Sequence, residues 1–180
     1  MKNITTVFKT VSGVIIALPG LAYFRSFKHP VNISNNLLTS ICLAIGLITG
    51  LTLFLLSDRL KQLQARTVLI IISFTLALAI TSGVGWAYIL NEQTSSTIND
   101  EKVLLPFKCS GDLCDKIETA KENHESVCMR YGKDDILASI ESDCRESFFY
   151  TATLYSVLFI LMYDLIVVLF FTLGLKLDHG

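Results

Sequence analysis

The chain has 180 residues, 52% of them hydrophobic, and a mean hydropathy of +0.55. Soluble domains of this size run at about 45–50% apolar, with those residues dispersed along amphipathic elements. Here they are gathered into long runs, and the net charge of −1 shows no basic excess of the kind that points to nucleic acid. The near-neutral total hides an asymmetry. Residues 91–147 hold 13 acids and seven bases, a net −6, and the remainder holds three acids and eight bases, a net +5.

The first apolar stretch, Val11 to Phe24, is flanked by Lys9 and Arg25. Extended back to Val7, with Lys9 snorkelling to the interface, it predicts a membrane span over about 7–24, kinked at Pro19-Gly20. A cleaved signal peptide is the competing reading, but Tyr23-Phe24-Arg25 makes a poor small-residue cleavage site. The second span is expected over 37–56, ending at Ser57-Asp58-Arg59, and the third over 67–90, ending at Asn91-Glu92. The fourth runs from Phe148 to Leu175 within a C-terminal segment, 148–180, that ends in a short tail. Each of these three reaches the roughly 20 residues that cross about 30 Å of hydrocarbon.

The short segment 57–66 carries Arg59, Lys61 and Arg66 and is therefore expected in the cytoplasm. Alternation then places both termini in the cytoplasm and 91–147 outside, in a bacterial inner or plasma membrane. Trp86, Tyr88, Tyr150 and Tyr155 fall where interfacial aromatics are expected.

Cys109, Cys114, Cys128 and Cys144 lie in the 91–147 segment, and Cys42 lies in the second span. An even set in a non-cytoplasmic loop predicts two disulfides. Leu113, Ile117, Ala120 and Val127 recur at helical spacing between Asp112 and Met129. Tyr131-Gly132-Lys133 reads as a turn. A second helix from Asp134-Asp135 then carries Ile136, Ile140, Cys144 and Phe148 on one face that runs into the fourth span. If 113–128 is one helix, Cys114 and Cys128 are about 20 Å apart and cannot bond. Two pairings remain, Cys109–Cys128 with Cys114–Cys144, which is preferred, or Cys109–Cys114 with Cys128–Cys144.

Four spans with four outside cysteines resemble the topology of disulfide-generating membrane proteins of the DsbB type, which would imply thiol–disulfide exchange. The link 25–36 has no cysteine, however, and four residues rather than two lie between Cys109 and Cys114. A small first and a large stapled second outer loop also resemble tetraspanins, although Cys109-Ser110-Gly111 stands where their Cys-Cys-Gly would be. Immunity proteins against pore-forming toxins are likewise four-span chains of similar size.

Asp164 is the one acid inside a span, about 24 Å along the helix from Phe148 and so near the midplane. A charge there is expensive unless paired, hydrated or protonated. It is expected either to contact a partner or to bond a hydroxyl such as Thr49 or Thr81. Gly46 and Gly50 form a GxxxG on the second span, Ala79 and Gly83 its small-residue counterpart on the third, and Gly13 and Ala17 on the first. These faces predict close helix packing. His29, His124 and His179 lie outside the spans, so neither a haem nor an intramembrane metal site is expected. His124 with Glu118, Glu122 and Glu125 lacks ligand spacing. Of the sequons at Asn3 and Asn32, only Asn32 falls outside.

The sequence therefore predicts an all-α integral membrane protein, a four-helix bundle with a disulfide-stapled helical hairpin outside. No catalytic residue, cofactor or metal is expected. The leading functional expectation is interaction with another membrane protein or a membrane-acting protein, as an accessory subunit or an immunity-type protein, with homo-oligomerisation as a further option. A thiol–disulfide redox protein and a small channel or transporter subunit are the alternatives.

Overall fold

A computed structural model describes residues 29–177. The expected first span, about 7–24, with Lys9, Gly13 and Ala17, lies outside these residues. Among the described residues the chain is mainly helical. Helix α1 covers Asn35–Leu55, α2 Ser57–Gln62, α3 Ala65–Glu92, α4 Asp112–Glu122, α5 Val127–Tyr131, α6 Lys133–Asp143 and α7 Arg145–Leu177. Three stretches are long and apolar enough to cross a membrane: Leu37–Leu55, Arg66–Glu92 and Arg145–Leu173. They coincide with the expected spans over 37–56, 67–90 and 148–175, and the third of them begins three residues earlier. Ser34 helps start α1 by accepting the Leu37 N–H at 3.4 Å, as an N-cap hydroxyl does for orphan amides.

One expectation fails at once, because the 91–147 segment is not purely helical. Strands β1 (Thr94–Ser96) and β2 (Lys102–Leu104) pair antiparallel with Ser95 opposite Val103. The Thr97 N–H donates to the Glu101 carbonyl at 2.8 Å and closes the turn. Asp100 sits there at φ 59, a left-handed conformation that Asp tolerates better than most residues. Residues before α1 complete the edge. The Val31 N–H donates to the Lys102 carbonyl at 2.8 Å, and the Asn32 amide both donates to the Leu104 carbonyl at 2.8 Å and accepts its N–H at 2.9 Å. Asn32 thus imitates a strand residue with its side chain. Three-residue strands are short for a period-2 signal to stand out, so the hairpin is hard to see in sequence.

The helical hairpin is also corrected. The expected first helix, Asp112 to Met129, breaks after Glu122, where His124 takes φ 55, and resumes as the five-residue α5. The second helix does not run into the fourth span, because Cys144 breaks it at φ −133, ψ 22. The apolar stripes were nonetheless correctly placed. Leu113, Ile117, Ala120, Val127, Cys128, Ile136, Ile140 and Cys144 are all buried in one cluster with Val103, and Phe148 packs against it. Three short helices close around this core instead of two long ones.

The described residues divide into two compact units. One comprises residues 39–83 and 159–177, and the other 29–38 and 84–158. The division cuts α3 after Gly83 and α7 after Leu158, so the first 14 residues of α7 belong with the polar segment. This corrects the interfacial reading of two aromatics. Trp86 and Tyr155 are buried at 8% and 0% exposure, whereas Tyr88 and Tyr150 are exposed. The rings of Trp86 and Tyr155 lie 6.0 Å apart, and Tyr155 Oη stands 2.7 Å from His29 Nδ1. Thr151, one turn earlier and fully buried, accepts the Phe107 N–H at 3.0 Å and donates to the Ser147 carbonyl at 3.0 Å. The start of α7 is therefore an internal pillar of the polar unit, tied to it by directed hydrogen bonds.

Candidate functional site

In the apolar unit the polar groups gather around Asp164 on α7. Its Oδ1 is buried and has no hydrogen-bond partner among the described residues. Thr81, one of the two hydroxyls expected to bond it, donates to the Ala77 carbonyl of its own helix at 2.8 Å. Asp164 lies close enough to Cys42 and to Tyr163 for its charge to reach both groups. Tyr163 and Cys42 are themselves buried, at 4% and 3% exposure.

Small residues let the helices meet here. A Cβ on Gly46 would stand 3.2 Å from Tyr163 Cε1 and 3.6 Å from its hydroxyl, and one on Gly83 would stand 3.2 Å from Met162 Sδ. Both α1 and α3 therefore approach α7 just before Asp164, through the adjacent residues Tyr163 and Met162. Ala79 is buried, at 8% exposure. Gly50 is different: a Cβ there meets nothing within 4 Å among the described residues. The GxxxG of α1 is thus divided in use, with Gly46 packed and Gly50 open.

In the polar unit Cys109 and Cys114 are bonded, with Cα atoms 5.1 Å apart. This overturns the preferred pairing, which required Cys109 to bond Cys128 and Cys114 to bond Cys144. The observed bridge is half of the other pairing that the sequence leaves open, Cys109–Cys114 with Cys128–Cys144. Cys128 and Cys144 are free thiols, both buried in the core cluster.

The bonded pair encloses Ser110, Gly111, Asp112 and Leu113 and opens helix α4. Gly111 holds φ +63, and a Cβ on it would lie 3.0 Å from Asp143 Oδ2. Only glycine suits both the conformation and the space. The same close approach brings Ser110 to the end of α6. Its N–H donates to Cys144 Sγ at 3.2 Å, and its hydroxyl donates to the Asp143 carbonyl at 2.9 Å. Cys128 is held by a different chain of bonds. Its N–H donates to Ser95 Oγ at 3.0 Å, Ser95 Oγ lies 2.7 Å from Ser126 Oγ, and the Ser126 hydroxyl donates to the Ser96 carbonyl. Burial pushes the Cys128 thiol above its ordinary pKa, partly opposed by the Ser95 hydroxyl, so this sulfur stays protonated.

Lys116 joins α4 to α6 by reaching Asp112 at 2.6 Å and Asp135 at 2.8 Å. Hydrogen bonds from Asp112 and then Asp135 push its pKa up to about 12. Lys133 reaches Glu101 at 2.9 Å, and that bond raises its pKa as well. Part of the acidic surface is thereby neutralised in place.

Sequence reasoning found Asp164, Gly46, Gly83 and all four loop cysteines, but it missed Tyr163, Ser110, Gly111 and the His29–Tyr155 pair. Tyr163 had one visible signal, its place beside the lone acid of an apolar run. Ser110 had none, since nothing local announces which amide will meet a sulfur 34 residues away. No protein-family model, curated protein or solved structure matches the chain.

Proposed function

We propose that this chain is a small polytopic membrane protein that acts by binding another membrane or membrane-acting protein, as an accessory subunit or an immunity-type protein. In this reading it is a four-span bundle in a bacterial inner or plasma membrane. Both termini are cytoplasmic, and the 91–147 unit lies on the opposite side. The short basic segment with Arg59, Lys61 and Arg66 supports that orientation.

The observation that carries the reading is the unpartnered Oδ1 of Asp164 in an apolar helix. A carboxylate buried in a membrane helix costs up to about 3 kcal/mol on insertion scales, and partnering removes much of that cost. Among the described residues Tyr163 and Cys42 are its neighbours, and one oxygen is left unbonded. A hydroxyl, amide or basic group on a partner helix would complete the set. The open Gly50 on α1 offers the same partner a close approach.

Affinity purification in mild detergent, wild type against Asp164→Ala, tests the proposal. A membrane protein recovered with the wild type should fall several-fold in the variant at equal expression. Equal recovery removes Asp164 from the mechanism.

A further inference from the structure

Three of the four cysteines in the polar unit converge on one place. Ser110 lies inside the ring closed by Cys109 and Cys114, and its amide is hydrogen-bonded to Cys144 Sγ at 3.2 Å. The Ser110 hydroxyl lies 3.9 Å from the same sulfur, and the Cys144 S–H reaches the Ser110 carbonyl at 3.7 Å. Among the described residues these hydrogen-bond contacts of the Cys144 sulfur are all with Ser110, the residue next to Cys109. Cys109 itself packs against the core cluster that contains Cys144. Gly111 holds φ +63 beside Asp143, and a Cβ on it would stand 3.0 Å from the Asp143 carboxylate, so a side chain there would be strained and would displace that carboxylate.

We propose that Cys144 is the exchange partner of the Cys109–Cys114 disulfide, so that the polar unit has two interconvertible bridges, Cys109–Cys114 and Cys109–Cys144. The Cys144 thiol loses its proton to water, and the thiolate attacks Cys109 Sγ. The Cys109–Cys114 bond breaks, Cys114 leaves as a thiolate, and it takes up a proton. One disulfide and one thiol are present before and after, so no oxidant or reductant is consumed. The Ser110 N–H stabilises the attacking thiolate by a charge-assisted hydrogen bond. Cys114 departs from the first turn of α4, where the positive end of the helix dipole favours a thiolate, and Lys116 pairs with the nearby Asp112 at 2.6 Å. The consequence is a change of tether. The first bridge closes a small ring at the head of α4, whereas the second fastens that segment to the end of α6 and frees Cys114, which is less buried than Cys144. The proposal is independent of any partner at Asp164.

Peptide mapping of the intact chain in detergent tests it. The protein is held at pH 8, free thiols are blocked with N-ethylmaleimide at intervals, and the sample is digested with trypsin without reduction. Cleavage at lysine and arginine puts Cys109 and Cys114 together in 109–116, Cys128 in 122–130 and Cys144 in 134–145. The expected result is two species: 109–116 with its internal bridge, and 109–116 linked through Cys109 to 134–145 with Cys114 alkylated. The second species should grow with incubation and vanish in Cys144→Ser. Three results would overturn the proposal: 134–145 fully alkylated at every time, a link from 134–145 to 122–130, or a link that runs through Cys114. The wild-type map needs no variant to fold.

Discussion

Tyr163 occupies the space that a side chain on Gly46 would need. Its Cε1 lies 3.2 Å from where the Cβ would be, and the next residue along α7 is Asp164. The glycine therefore sets how close α1 comes to the helix that carries the acid. Gly46→Val should overpack this contact and lower stability by about 1–3 kcal/mol. Gly50→Val meets nothing within 4 Å among the described residues and should change stability by less than about 0.5 kcal/mol. Thermal unfolding of the two variants in one detergent checks the difference. Equal losses would mean that Gly46 is not at a tight contact.

His29 should make the polar unit acid-sensitive. Burial holds its pKa below the ordinary 6.5, so the folded chain keeps the ring neutral while the unfolded chain protonates it. Above about pH 6.5 both states are neutral and this residue gives no pH dependence. As the pH falls below that value the unfolded state takes up the proton, and stability is lost. His29→Gln removes this component. The stability difference between wild type and variant should shrink from pH 7.5 to pH 5, as followed by urea unfolding. A difference that stays constant over that range would contradict the burial argument.

Reduction of Cys109–Cys114 should cost little. The bridge joins residues only five apart in sequence, and so short a ring restricts the unfolded chain by about 2 kcal/mol. Leu113, Ile136 and Val103 are all at 0% exposure, and their burial should hold the core together without the bridge. Hydrogen exchange after treatment with dithiothreitol should show α6 still protected and only the head of α4 loosened. Loss of protection across α6 would show that the bridge holds the whole unit together.

The apolar helices were legible because twenty uncharged residues leave few alternatives, and hydropathy recorded them with errors of three residues or fewer at the ends. The buried stripe of Leu113, Ile117, Ala120 and Val127 was legible too, but not the break that crosses it. The break rests on His124 in a left-handed conformation, and no glycine or proline marks that spot. Asp164 was found because it is the lone charge in its run. Its depth was judged by counting from Phe148 as though all of α7 were immersed. The structure assigns the first 14 residues of that helix to the polar unit, and Asp164 falls five residues, about 8 Å, past the division. Thr151 and Tyr155 cause this, and neither stands out from its apolar neighbours by composition. The choice between the two remaining disulfide pairings was not legible, because nothing local shows that Ser110 and Gly111 close a tight ring at the head of α4.

The central claim is that α7 crosses a lipid bilayer and so separates the cysteine-bearing unit from the C-terminus. Compartment-restricted reporters inserted at Gly111 and fused after Gly180 measure this directly in cells. Signals from opposite compartments, with the Gly111 reporter active only outside the cytoplasm, are the predicted result. Both reporters active in the same compartment would contradict the account.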